Sequence, residues 1–495
     1  MSNLITMTTS ATTQTARKSS LAQAPAAPGV RLAFAAIVLA MLPAVLDQTI
    51  LATALPTVAA DLGRLGDVSW VVAAYVVAST AATPLWGKLG DRHSRKRLLE
   101  LQLVLFVTAS AFCGFAHDIT QLVVTRVVQG IAAGGLMTLA MAAVGDLVPP
   151  RERGRYQGYI AATFAGAAAL GPLAGGLLVD HASWRWIFYV NVPVGAAALL
   201  ALRAKLPAAP VERPGTPLDS LGGALLAGAT ATFMLVCVWG GDRYGWGSPQ
   251  IAALIGATVV LAGLLVLRER RAADPIVPVR MLATPAVSVA SAGLFFGTAS
   301  LFAVTVFVPL FLQAAAGLSP TAAGLLLVPM MVGTTISTTL SGRSIAKTGR
   351  YKRFPIAGLG VMTGALALLA ALANRRSAAD TAAALLLFGL GFGMVSQVLV
   401  VAVQNSVERA RLGIATATTT FFRALGGAAG AAGLGAVFTA RAGSGAGSST
   451  VHALAPAVRV HIADAVQTVF LVAAPLAALA LIVLLWLPEA ELKGR

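Results

Sequence analysis

The sequence predicts an all-α polytopic membrane protein in which two six-helix bundles are joined through two inserted helices, about fourteen transmembrane helices in all. Three observations carry that expectation. Hydrophobic residues make up 57% of the 495 positions and charged residues only 11%, with mean hydropathy +0.81, a make-up no ordinary soluble domain has. Short polar segments interrupt the apolar sequence again and again, leaving runs close to the ~20 residues a helix needs to cross the hydrocarbon. The charge is also uneven. An even number of spans puts both termini on one side, and assigning that side to the cytoplasm gives it most of the 36 Lys and Arg, leaving the other side near neutral. The net charge of +17 is therefore a positive-inside signature and not a nucleic-acid-binding face.

The spans fall near 32–55, 69–87, 98–116, 119–146, 156–179, 186–206, 218–239, 249–267, 287–312, 321–345, 354–373, 381–402, 413–440 and 465–487. Residues 1–30, rich in Ser, Thr, Ala and Gln, read as a disordered cytoplasmic tail, with Arg17, Lys18 and Arg31 before the first apolar run. That run is too long for a signal-peptide core and is expected to remain in the protein. It contains Leu46-Asp47-Gln48-Thr49-Ile50-Leu51-Ala52-Thr53-Ala54-Leu55-Pro56, and Asp47 is the one acid more than two residues from the end of any predicted span. A carboxylate in hydrocarbon costs several kcal/mol unless it faces a wet cavity or a partner, which makes Asp47 a functional candidate; an ion pair that merely ties helices together is the competing explanation.

Between spans two and three stands Gly87-Lys88-Leu89-Gly90-Asp91-Arg92-His93-Ser94-Arg95-Lys96-Arg97, a short basic loop with a single carboxylate held in a positive field. Gly87, Asp91, Arg92 and Arg95 are its candidate switch residues. Span four carries Leu122-Val123-Val124-Thr125-Arg126-Val127-Val128-Gln129-Gly130. At 1.5 Å per residue, Asp47 lies about 12 Å and Arg126 about 10 Å from the outer ends of their spans, so the two share a depth and Arg126 can hold Asp47 ionised. Arg126 can instead bond carbonyls between helices. Span five contains Gly158 and Gly171-Pro172-Leu173-Ala174-Gly175-Gly176, small residues that let helix backbones approach, with a proline that allows a bend. Trp184-Arg185-Trp186 opens span six as an interfacial anchor, running on through Asn191 to Pro193 and Gly195.

The first bundle is expected at 31–206. A linker at 207–280 starts with the Pro-rich stretch Leu206–Pro217, carries two further spans and ends in a charged segment. The second bundle is expected at 281–487, with a cytoplasmic tail at 488–495. Gly342 to Arg353 repeats the first basic loop: Gly87 matches Gly342, Arg92 matches Lys347 and Arg95 matches Arg350, while Asp91 matches Ala346. Such duplication is expected of two homologous bundles rocking about a central site. In the second half Arg423 lies deep in span thirteen, with Gln397 at a similar depth; packing and substrate contact are both open to them. Phe295, Phe296, Phe302, Phe307 and Phe311 on span nine suit either a greasy pocket or ordinary packing.

These motifs carry a resemblance. The basic loop is similar to the loop between helices two and three of the major facilitator superfamily, Ser94 standing where that family usually has glycine. Span four is similar to its Leu-x-x-x-Arg-x-x-Gln-Gly motif, and Gly-Pro-x-x-Gly-Gly to the motif that marks its antiporters, with Ala167 in place of one glycine. The first span, the Trp184–Gly195 stretch, Asp219 with Gly222 and the loop Tyr244–Pro249 resemble the 14-span drug:proton antiporters, with Ala52 replacing an Asn. The resemblance implies the major facilitator fold and a proton-coupled antiporter that exports small amphipathic compounds such as antibiotics, lipophilic drugs or cations. It implies a proton gradient with no cofactor, and proton coupling or a substrate cation at Asp47 and Arg126. Gln129, Gln397 and Arg423 are the remaining polar cavity candidates. A lipid, amino acid or secreted metabolite is an alternative cargo.

A membrane-embedded enzyme would need clustered acids or histidines at a membrane face, and the sequence has neither. Nor does it have a metal-ligand cluster or a Gly-Lys-Ser/Thr phosphate loop, which disfavours ATP-driven export. Cys113 and Cys237 fall inside spans and read as small packing residues. The expected partners are the lipid bilayer, protons and a small amphipathic substrate, with no nucleic acid, in a monomer in the cell membrane with both termini cytoplasmic.

Overall fold

The computed structural model describes residues 28–62, 65–207, 219–241, 243–272, 274–277, 279–314, 317–318, 320–373, 377–442 and 456–489. Of the expected tails at 1–30 and 488–495, residues 1–27 and 490–495 lie outside the described residues, as does most of the Pro-rich stretch Leu206–Pro217, while residues 28–30 already belong to the first helix.

Long helices make up the described chain. They are α1 (Pro28–Leu62), α2 (Leu65–Arg92), α3 (Arg95–Gly114), α4 (Ile119–Leu147), α5 (Pro150–His181), α6 (Asn191–Lys205), α7 (Ser220–Trp239), α8 (Pro249–Arg271), α9 (Pro285–Ala314), α10 (Val328–Thr348), α11 (Arg353–Leu372), α12 (Ala378–Ser406), α13 (Leu412–Ala442) and α14 (Pro456–Leu484). Among the described residues 13 segments are long and apolar enough to cross a membrane. The fifth expected span forms as the 32-residue α5, whose start carries Arg151, Glu152, Arg153 and Arg155 and whose remainder up to Val179 is free of charge. Local chemistry explains several boundaries. Asp118, Asp219, Ser248 and Ser377 each accept a backbone N–H of the following turn, ending orphan donors at the starts of α4, α7, α8 and α12. Gly349, with φ 70°, closes α10 in the left-handed conformation that a side chain disfavours.

Apolar cores form separately along the chain. Ile37, Met41, Leu103, Phe106 and Leu136 belong to a core within the first half; Leu294, Phe307, Phe311, Leu366 and Phe388 belong to one within the second. Phe307 and Phe311 are therefore packing residues, and Phe295 and Phe296 stack edge to face. The halves meet where α2 lies along α13 and α5 lies along α10. The repeated glycines sit at those two seams. A side chain on Gly87 would meet Ala417 and, at 2.8 Å, the Gly413 carbonyl; one on Gly154 would lie 2.8 Å from the Gly342 Cα. Helix pairs this close need glycine on at least one side.

Burial shows where the bundles touch. Residues 395–404 of α12 and 412–419 of α13 are all buried, whereas further along α13 only Gly426, Gly430 and Leu434 are. The two glycines pack on Phe295 and Ala299 of α9, within their own half. The halves are thus closed on each other at the end that carries the basic segments, and the cover over α13 thins toward the opposite end.

Candidate functional site

An apolar first span positions Asp47 in mid-helix, and α1 packs on α4, α5 and α6 so that its carboxylate is 2% exposed. Arg126, 1% exposed, donates Nη1 to Asp47 Oδ2 as a charge-assisted pair. Gln129, one turn along α4, donates Nε2 to Asp47 Oδ1 at 2.9 Å and accepts from Arg126 Nη1 at 2.8 Å. Asn191, at the start of α6, reaches the same Oδ1 at 3.3 Å and donates to Ser110 Oγ at 3.0 Å. The guanidinium is further held by the Val71 carbonyl at 3.2 Å and lies 4.2 Å from the centre of the Tyr75 ring. Five helices of the first half thus contribute to one charge pair with its hydrogen bonds satisfied. That satisfaction is what makes a charge pair tolerable in hydrocarbon.

Asp47 and Arg126 therefore meet at the shared depth the sequence implied, and Gln129, a polar cavity candidate, joins them. Asn191, Tyr75 and Ser110 escaped notice because a lone polar residue in an apolar run carries no signal until the helices are packed. The Ala52 side chain lies outside what the structure describes. Cys113 is buried, with Sγ 3.2 Å from Thr125 Oγ1.

The second site is the basic segment, and its form differs from the expectation. It is not a loop from Gly87 to Arg97: α2 continues through Arg92, only His93 and Ser94 link it to α3, and Arg95 is the first residue of α3. The switch residues therefore ride on helix ends. Asp91 Oδ1 accepts from the Gly413 amide at 2.6 Å and Oδ2 from the Ile414 amide at 2.9 Å. These are orphan donors of the first turn of α13, where the helix dipole also favours an anion. Arg95 donates to Asp91 at 2.7 Å and also to Asp146 at the end of α4. Asp146 in turn accepts, through its carbonyl, from Arg409 of the second half at 3.3 Å. Arg92 faces elsewhere: with Lys88 it binds Asp274, in the segment that joins the inserted pair to α9, and Lys88 also donates to the Pro275 carbonyl at 2.8 Å. Asp146 and Asp274 were invisible in the sequence because acids at helix ends and in linkers are ordinary.

The remaining candidates fall apart from these two clusters. Gly158 packs on Thr339 of α10, whereas Gly171 and Gly175 pack on Thr49 and Thr53 of α1; a side chain on Gly176 would meet nothing within 4 Å, and α5 runs unbroken through Pro172. Gln397 is buried on α12 with Oε1 unpartnered, and Arg423 donates Nη2 to the Ser396 carbonyl at 3.0 Å. Trp184 is buried, while Trp186 of the same stretch is exposed. Trp184 Nε1 and Arg185 both donate to Asp61 beyond the first span, and together they hold that carboxyl below the usual carboxylate range. In the inserted pair, burial works against the Asp219 carboxylate, yet Arg268 and the Gly222 amide outweigh it and leave it below the usual range.

Residues 37–431 match the Major Facilitator Superfamily profile. An uncharacterised MFS-type transporter of Mycobacterium tuberculosis is 40% identical over 82% of this chain, a match that spans 59% of that relative's own length. The multidrug transporter MdtP of Bacillus subtilis is 33% identical over 82% of this chain and 75% of its own. Multidrug resistance protein 3 of the same organism is also 33% identical, over 79% and 76%. Among solved structures, the proton:xylose symporter XylE superposes with TM-score 0.66 at 14% identity, covering 94% of this chain and 97% of its own, a likeness of fold. Helical architecture, paired seams and sequence agree: this chain is a multi-pass membrane protein and belongs to the Major Facilitator Superfamily.

Proposed function

We propose that the protein is a proton-coupled antiporter that exports small amphipathic compounds across the cell membrane by alternating access, with the basic end and both termini in the cytoplasm. The single observation that carries the reading is the buried Asp47–Arg126 pair in the first half, closed over by Gln129 and Asn191. Protonation of Asp47 would leave Arg126 as an uncompensated cation in hydrocarbon, which costs several kcal/mol, so the pair has to open or take on water when it accepts a proton. A proton event and a helix movement are thereby made one. Asp91 supplies the second half of the cycle: its grip on the α13 amides must break for the cytoplasmic end to open. No cofactor is needed, because the gradient of protons supplies the energy. The multidrug relatives support the same cargo class.

Proteoliposomes loaded with ethidium or rhodamine dyes and given an imposed pH gradient test this. Wild type should move dye against its gradient only while the pH difference lasts. Equal transport after a protonophore collapses the gradient would end the proton-coupled reading.

A further inference from the structure

We propose that Arg423 is an anion subsite in the export path, so that the preferred cargo is an amphiphile bearing a carboxylate or sulfonate rather than a cation; this rests on the export reading above. The charge balance of the interior points there. Asp47 is spent: both its oxygens are bonded and its side chain is 1% exposed, which leaves it no free oxygen for a cationic substrate in this state. Arg423 is the opposite case. Among the described residues no carboxylate pairs with it, its Nη2 donates to the Ser396 carbonyl, and its Nε is buried without a hydrogen-bond partner.

Its position suits a ligand. Thr416, seven residues before Arg423, lies on the same face of α13, and its hydroxyl accepts from Gln404 Nε2 at 3.0 Å; that same nitrogen lies 3.5 Å from the Met141 carbonyl of the other bundle. Thr416 thus belongs to the plug between the bundles. Arg423 stands two turns beyond it, just past the last residue of unbroken burial, and is itself only partly buried. It is a cation two helical turns from the plug, where the burial of α13 is no longer continuous. An unpaired guanidinium at membrane depth is costly unless it meets water or an anion, and its planar fork is matched to carboxylate-type oxygens. With the cell interior negative, outward movement of an anion and inward movement of a proton are both favoured by the membrane potential.

The test is equilibrium binding to the full-length protein in nanodiscs, with no proton gradient, using naphthylacetate, its methyl ester and naphthylmethyl-trimethylammonium as a matched series. Wild type should bind the carboxylate about 10-fold tighter than either the ester or the ammonium, the worth of a charged hydrogen bond. Arg423→Gln should erase that ratio and Arg423→Lys should keep part of it, with melting curves reporting fold. Ammonium binding equal to or tighter than carboxylate binding in wild type would overturn the proposal, and needs no variant. So would an unchanged ratio in folded Arg423→Gln. Because binding is read without a gradient, a failure of proton coupling leaves this result standing, and the reverse also holds.

Discussion

The carboxylate of Asp47 takes hydrogen bonds from three side chains on two helices, and only the bond to Arg126 is charge-compensating. Asp47→Asn keeps the volume and cannot exchange a proton, so proton-driven export should vanish while membrane insertion persists. Removing one partner of a buried pair costs about 3–5 kcal/mol, so Asp47→Asn should also melt lower than wild type, and Asp47→Asn with Arg126→Gln should recover part of that loss without recovering transport. A single variant as stable as wild type would show that the pair is solvated. Arg126→Ala should be inactive and Arg126→Lys partly active, since lysine lacks the planar fork that serves Asp47, Gln129 and the Val71 carbonyl together. Asp47, Arg126 and Gln129 were legible because a charge in an apolar run breaks the pattern. Asn191, Tyr75 and Ser110 were not, since their value comes from convergence across helices.

Helices carry the switch through their ends. The duplicated sequence placed Gly87 and Gly342 in register, and each lies at an equivalent seam, α2 with α13 and α10 with α5. The copies differ where the sequence said they would: Asp91 binds the amides of α13, while Ala346 offers no carboxylate to α5. One side of the closure is therefore latched by charge and the other by packing alone. Asp91→Asn should slow turnover and raise the accessibility of a cysteine placed at Gly145 from the cytoplasmic side; an unchanged labelling rate would refute the latch. Gly342→Val would push a side chain into the Gly154 backbone, so it should block closure and cut transport at least ~10-fold, the effect of ~1.4 kcal/mol lost from the closed state. Wild-type rates in Gly342→Val would show that the seam is loose. The salt link from Asp274 to Lys88 and Arg92 ties the linker after the inserted helices to the same switch. The sequence identified the basic segment but drew it as a loop, because its charges mask a helix whose last turns are anchored by tertiary partners.

Across the molecule, composition and the duplicated basic pattern were enough for the helical architecture, while the conformational state was beyond them. Which end is closed depends on contacts between residues hundreds of positions apart, such as Asp91 with Gly413 and Gln404 with Met141. In the closed-basic-end state the interior exposes no free carboxylate at Asp47, so among charged amphiphiles a dication should be the poorest cargo, having no site to offset the desolvation of its two charges. Equal export of matched mono- and dications would show that charge count does not govern recognition. Substrate-induced proton movement measures the central claim most directly: proteoliposomes with a pH dye inside and no imposed gradient receive ethidium, naphthylacetate or its methyl ester. Wild type should couple cargo movement to an opposite proton flux, and Asp47→Asn, folded and reconstituted to the same density, should give no proton signal. The same proton flux in Asp47→Asn as in wild type would contradict the account.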